Sequence, residues 1–258
     1  MARRPDGPPP PPTVQRLRIH YTKRGRLRFA SHRDFQRSFE RALRRGSIPI
    51  AFSAGFSPHP KVSYANAAAT GVASEAEYLE IGVAKACDPA RLRTVLDECL
   101  PAGFDVVEIV EAREGSLADR LEASHWQIVL AGSDPASVEK AAADFLAQDL
   151  VEVERMTKNG IRRFDARQAV VSMIVEPAAR AVGDDPTPCA ILNVVVRHTS
   201  PAVRPDDVLT GLRERSGLTP SVAPRVTRLA QGPLDARTAA IGDPFDPDRG
   251  EQVVASTG

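Results

Sequence analysis

The chain has 258 residues, 42% of them apolar and 5% aromatic, with 22 prolines and a net charge of +1. That length suits one large domain or two small ones around a real core, and no apolar run approaches the roughly 18 residues that a membrane helix needs. The near-zero total hides an asymmetry: 14 of the 34 lysines and arginines fall within residues 1–64, against Asp6, Asp34 and Glu40, so this stretch carries +11 and the remainder about −10. Positive charge pooled at one end of a near-neutral chain is the footprint of a polyanionic partner.

Cys87, Cys99 and Cys189 stand far apart without a CxxC pair. This fits reduced thiols and a cytoplasmic setting, and excludes an iron–sulfur or structural zinc site built from cysteines alone. Met1 to Pro12 holds no hydrophobic segment, so no secretory signal is expected.

Residues 1–14 are rich in proline and predict an extended, disordered tail. From Arg16 to Ala30 the alternation of Leu17, Ile19 and Tyr21 with Arg16, Arg18 and His20 predicts a strand or hairpin turning at Lys23-Arg24-Gly25. Ser31 with Asp34 makes a shortened capping box, opening a helix that runs to about Arg45 and stops at Gly46. Ile48–Ser53, Lys61–Ala65 and Glu77–Val83 read as strands, with a loop at Gly55–His59. Asp88-Pro89 starts a second helix carrying Leu92, Val95, Leu96 and Leu100, and Phe104–Val110 is the next strand. The order is β-α-β-β-α-β, the ferredoxin-like pattern.

The second half repeats this order. Trp126–Leu130 is a strand, Asp134-Pro135 caps a helix to about Gln148, Leu150–Met156 is a strand, and Lys158-Asn159-Gly160 is a turn. An irregular segment from Asp165 leads to strands at Val170–Glu176 and Ile191–Val196, with a Pro-rich loop at 181–188 between them. A helix follows Arg204-Pro205-Asp206 to Ser216-Gly217, and Ser221–Leu229 closes the half. The expectation is an α+β protein of two tandem ferredoxin-like units with antiparallel sheets, spanning 15–115 and 122–230, with a disordered tail at 231–258.

Helical phase sharpens the charge argument. At about 100° per residue, Arg33, Arg37, Arg41, Arg44 and Arg45 fall within about 120° of one another, opposite Phe35, Phe39 and Ala42. Only Glu40 interrupts the stripe, so five arginines cannot all pair within the helix. Guanidinium groups make bidentate contacts with phosphate. Arg16, Arg18, Lys23, Arg24, Arg26 and Arg28 add neighbouring charge. The alternative is an ordinary solvated helix face.

The loop Gly55-Phe56-Ser57-Pro58-His59-Pro60-Lys61 joins a permissive glycine to two prolines that fix the backbone around His59. Phe56 is a candidate for stacking on a base, and Lys61 supplies a point charge. The alternative is a rigid hairpin end with Phe56 in the core. His59, Ser31 and His32 are candidate catalytic groups, with Ser53 as a further nucleophile for a His59 base. His32, His59 and Asp34 carry metal-ligating atoms, yet no spacing demands a metal and none is expected. Glu75 and Glu77 either pair with the stripe or face solvent. No GxSxG, P-loop, GxGxxG or HExxH is present.

The runs Arg28-Phe29-Ala30-Ser31-His32-Arg33-Asp34, Arg41-Ala42-Leu43-Arg44-Arg45, Ile48 to Lys61 and Gly71-Val72-Ala73-Ser74-Glu75-Ala76-Glu77-Tyr78 resemble the radical SAM-associated (radical SAM-linked) protein family. These are bacterial proteins encoded beside or fused to a cobalamin-type radical SAM protein, and no activity is established for them. The resemblance is dense over 16–83 and fades towards 230. Arg33 stands where the family carries an aliphatic residue, and Ser57 where it often carries Asn. The resemblance implies a partner enzyme that holds an iron–sulfur cluster and SAM, since this chain has no CxxxCxxC triplet. It leads to an expected RNA-binding accessory protein in tRNA or rRNA modification, whose nucleic-acid site comprises Arg33, Arg37, Arg41, Arg44, Arg45, Phe56, His59 and Lys61. The alternatives are an RNA- or nucleotide-acting enzyme using His59, and a module that docks the partner enzyme.

Overall fold

A computed structural model describes residues 10–158, 160–177 and 188–249. It divides into two compact units. The first holds residues up to 120 together with those from 243 on, and the second holds 121–242.

In the first unit β1 (Gln15–Lys23) leads through a 3-10 turn at Gly25–Phe29 into α1 (His32–Arg45). There follow β2 (Val62–Ala65), β3 (Ala73–Val83), α2 (Pro89–Cys99), β4 (Val106–Glu111) and the short α3 (Leu117–Arg120). The four strands lie in the order β4-β1-β3-β2, each pairing antiparallel. The alternation in β1 puts Leu17, Ile19 and Tyr21 on the helix side, in a core with Phe35, Phe39, Leu79, Ile81, Leu92, Leu96 and Phe104. Phe35 anchors α1 there: its ring stacks on Tyr21 at 4.3 Å between centroids and meets Phe104 edge-on at 4.9 Å. Gly46 ends the helix with φ −77°, and the left-handed residue is Ser47 at φ +50°. What Gly46 supplies is space, because a Cβ there would come within 2.7 Å of Val95 Cγ1.

The opposite face of β1 buries a charge. Arg18 is 0% exposed. Its guanidinium donates to Glu80 Oε2 at 3.0 Å, to both carboxylate oxygens of Asp248 at 2.7 Å, and to Gly115 O at 2.5 Å. Asp248 also accepts from Arg120 at 2.7 Å and from the Arg113 backbone N–H at 2.9 Å. Phe245, 0% exposed, packs edge-on against Tyr78, which stacks on His20. Arg249 closes the segment on Glu108, Asp243 and Asp246.

The disorder expected over 231–258 therefore does not hold for 231–249. Its Asp and Pro residues read as solvent-loving by composition, but the carboxylates are spent on buried or clustered arginines. The tail positions 1–9 and 250–258, the turn residue Asn159 and residues 178–187, which take in the Pro-rich loop 181–188 except Pro188, lie outside the described residues. Residues 10–14 have no regular structure, although Val14 N–H reaches Val83 O at 2.8 Å.

Two strand expectations also change. Arg16–Ala30 is not a hairpin, because the chain turns at Gly25 and Leu27 drops back onto the core. Ile48–Ser53 makes only the isolated bridges Ile50 to Val83 and Phe52 to Pro60, since Pro49 has no N–H to extend a ladder.

The second unit contains β5 (Ala123–Ala131), α4 (Pro135–Leu146), β6 (Glu152–Thr157), β7 (Gly160–Asp165), β8 (Val170–Pro177), β9 (Cys189–Arg197), α5 (Pro205–Ser216) and β10 (Arg225–Gly232). Short strands β11 (Leu234–Asp235) and β12 (Ala240–Ile241) follow. Its main strands run β10-β5-β9-β8, again antiparallel, while β6 and β7 pair apart as a hairpin. Asp134 caps α4, its carboxylate accepting from Ser137 N at 3.0 Å. Strand β7 escapes the sequence reading because only Phe164 of its polar run is buried.

Among the described residues the architecture is thus mixed α+β with antiparallel sheets, and no helix is long and apolar enough to cross a membrane. Replacing Asp248 by Asn should leave Arg18 short of one charge partner and lower stability by about 3 kcal/mol, read by thermal and urea denaturation. Burial pushes His20 below its ordinary value of 6.5, against the hydrogen bond that its ring N–H donates to Glu75 O. The unfolded chain then binds the proton first, so this contribution to stability is full above about pH 6.5 and falls as the pH drops further. Melting temperatures from about pH 7.5 to 5.5 should show that slope, and His20→Gln should reduce it, leaving the share of His198, which burial also pushes below its ordinary value.

Candidate nucleic-acid interface

The site is built on α1. Ser31 Oγ accepts from Asp34 N at 3.2 Å while Asp34 Oδ2 accepts from Ser31 N at 3.0 Å, a full capping box. Hydrogen bonds from Ser31, helped by Arg37 and Arg33, hold the Asp34 carboxyl below its usual range. Ser31 Oγ also donates to Asp34 at 2.6 Å. The hydroxyl is thus committed to starting the helix, which disfavours it as a nucleophile.

With Phe35, Phe39, Ala42 and Leu43 buried, the opposite face of α1 is fixed outward. Arg33, Arg37, Arg41, Arg44 and Arg45 are all exposed. Among the described residues none of the five has a carboxylate within ion-pair distance. Among the described residues Arg45 is the one of the five whose side chain makes a hydrogen bond, a long one donated to Cys99 O at 3.4 Å.

Most of the other basic residues of this end are occupied. Arg16 pairs with Glu80, Arg18 is buried, and Arg24 pairs with Glu75 and Asp105. Lys23 donates to the carbonyls of Ala68 and Ala69. Arg28 lies over the Phe29 ring at 4.6 Å. Glu75 thus serves Arg24 rather than the stripe, and Glu77 is buried, accepting from Ala68 N–H at 3.0 Å.

The arm 49–60 returns beside the C-terminal half of α1. Ser53 N–H donates to His59 O at 2.8 Å, and His59 N–H donates to Ser53 Oγ at 3.0 Å. With Pro58 and Pro60 on either side, the backbone of His59 is pinned. Gly55, at φ +133°, turns the loop where a side chain would be strained. Between arm and helix lies an open groove of about 590 Å3, lined by Glu40, Leu43, Arg44, Ile50, Phe52 and His59 among others.

The structure thus brings Arg44 and His59 to one groove and strings Arg33, Arg37, Arg41 and Arg45 along the helix beside it. Phe56 sits at the loop tip, 67% exposed and not among the groove's lining. Lys61 reaches away to Thr13 Oγ1 at 2.9 Å. His32 meets Tyr64 edge-on at 4.8 Å and bonds Gln36 at 3.0 Å, at the other end of α1 from the groove. His32, His59 and Asp34 do not come together as ligands, and among the described residues no three His, Cys, Asp or Glu cluster as a metal site. Glu40 and Phe52 were missed in the sequence. The signal available for them was their position, one turn before Arg44 and beside Ser53.

A family described as "Uncharacterized protein conserved in bacteria (DUF2344)" matches residues 16–205, and the chain belongs to it. No curated protein matches the chain. Among solved structures, a chain of a Cbf5-Nop10-Gar1 complex is similar at 10% identity and a TM-score of 0.42, over 88% of this chain and 54% of that one. This chain therefore spans about half the length of that one. An unknown protein from Galdieria sulphuraria is similar at 15% identity and a TM-score of 0.24, over 83% of this chain and 98% of that one.

Phe56→Trp should place an indole in water: its emission should be solvent-like and freely quenched by acrylamide. The buried Trp126 supplies a protected background, so the added indole is read as the difference from the unaltered protein, and a difference that is blue-shifted and protected would mean that the loop tip is buried.

Proposed function

We propose that this protein binds RNA along the arginine face of α1 and serves a radical SAM enzyme as an accessory in tRNA or rRNA modification. The observation that carries the RNA reading is five exposed guanidinium groups on one face without a carboxylate partner among the described residues. An unpaired cationic row on a rigid helix binds a chain of phosphates by releasing its counterions. Phe56, exposed at the tip of the arm, offers a stacking platform open to any base. The enzyme partner comes from the resemblance of residues 16–83 to the radical SAM-associated family, and it would bring the cluster and SAM.

We also infer a ferredoxin-like duplication. Its support is the recurrence in both units of one spatial strand order, last-first-third-second, once the β6-β7 hairpin is set aside.

A second reading has the pinned His59 beside Arg44 in its favour: an RNA- or nucleotide-acting enzyme with His59 as acid–base. It requires turnover by the isolated protein that His59→Ala abolishes while binding persists.

Charge reversal at Arg37 and Arg41 together should remove RNA retention in filter-binding and electrophoretic assays while the melting temperature holds. For the unaltered protein, affinity should fall roughly 100-fold between about 50 and 300 mM salt, as expected for about four phosphate contacts to a single strand. RNA affinity that survives the double reversal, or ignores salt, rejects the phosphate role. Co-purification of a radical SAM protein that survives nuclease would instead favour direct docking.

A further inference from the structure

The groove beside α1 holds more than a phosphate row needs. Its volume of about 590 Å3 suits a ligand of nucleotide size, within the ~300–1,000 Å3 of small-molecule sites. Its apolar wall includes Leu43, Ile50 and Phe52, and Phe52 keeps 39% of its surface open. Its polar groups include Glu40 and Arg44, one helical turn apart. Side chains so spaced ordinarily pair with each other. Here neither has an ion-pair partner among the described residues, and both line the same groove. An acid and a base that share a groove with apolar residues and do not pair with each other match a ligand that carries an anion and N–H donors.

We propose that this groove takes one unstacked guanosine nucleotide. Arg44 receives the phosphate, the Phe52 ring receives the face of the base, and the Glu40 carboxylate accepts from its pairing edge. Guanine is the base with two adjacent N–H donors on that edge, which a carboxylate accepts side by side. Uracil offers one N–H flanked by carbonyls, which repel the carboxylate. His59, its backbone held by Ser53, stands at the rim beside Pro58 and Pro60. The choice of a nucleotide over another anion rests on the RNA-binding reading above.

The test is calorimetric titration of the full chain with GMP, UMP and inorganic phosphate, with amide chemical shifts locating the ligand. GMP should bind at least about tenfold more tightly than UMP, the discrimination of one bidentate contact, and phosphate should be weaker still. Glu40→Gln should erase the preference with the fold unchanged by circular dichroism. Phe52→Ala should weaken GMP roughly tenfold through lost stacking. Equal affinity for GMP and UMP, or for GMP and phosphate, overturns the assignment, as do shifts that avoid Glu40, Arg44 and Phe52. RNA retained by a protein that binds no GMP overturns this inference and leaves the arginine stripe standing. GMP bound by a protein that retains no RNA upholds the groove and overturns the RNA reading.

Discussion

The buried guanidinium of Arg18 constrains the first unit more than any other single group. A cation with no exposed surface in the middle of a sheet is tolerable only if carboxylates come to it and fill its hydrogen bonds. Glu80, on the neighbouring strand, supplies one. The second, Asp248, lies 230 residues further along the chain. Burial alone would raise the Asp248 carboxyl, and the bonds from Arg18, Arg113 and Arg120 outweigh it, so the group stays ionised below the usual range. The need for that carboxylate explains why an Asp- and Pro-rich segment folds back after the whole second unit has intervened. It also explains why Phe245 is covered: the turn that presents Asp248 seats the ring against Tyr78 and His20.

The same accounting of charge separates structural from available arginines. Composition presents the basic end as one pool. The structure divides it by face. Residues of β1 that point away from the helices, and those at its end, are neutralised by Glu80, Asp248, Glu75 and Asp105. Residues on the outer face of α1 are not. The asymmetry follows from topology: strands bring acids on neighbouring strands beside β1, whereas the outside of a helix has no neighbour. The net charge of the end therefore overstates its pull on a partner, and what remains among the described residues is the helix face together with Arg26, Arg28 and Lys61.

What was legible in the sequence is what local rules decide. Ser31 and Asp34 sit three apart and form their capping box. The phases of Phe35, Phe39 and Ala42 fix which side of α1 is buried, and Leu17, Ile19 and Tyr21 fix the inner side of β1. What was not legible depends on distant contacts. Nothing local to Asp248 or Phe245 announces burial, and a run of Asp and Pro is indistinguishable from a solvated tail until its arginine partners are known. Strand β7 pairs with β6 although most of its residues are exposed, so it carries no periodic apolar signal. At the site, the sequence marks Phe56 for stacking and gives Phe52, four residues earlier, no signal of its own. The Phe52 to Pro60 bridge and the paired bonds of Ser53 put Phe52 beside the helix and leave Phe56 at the tip.

Rigidity is what makes the outer face of α1 more than a charged surface. A flexible arginine loses rotamer freedom when it grips an anion, and that cost offsets much of a single contact. Five side chains on one helix share a backbone that is already ordered, with Phe35 stacked on Tyr21 and Gly46 drawn close to Val95. Each added contact then costs side-chain entropy alone. The arm 49–60 extends the same logic to a second element, since Pro58, Pro60 and Ser53 set the position of His59 in advance. A helix and an arm each fixed independently, with unpaired polar groups between them, form a cleft whose shape is decided before a ligand arrives, and such pre-organisation is where affinity per contact is gained.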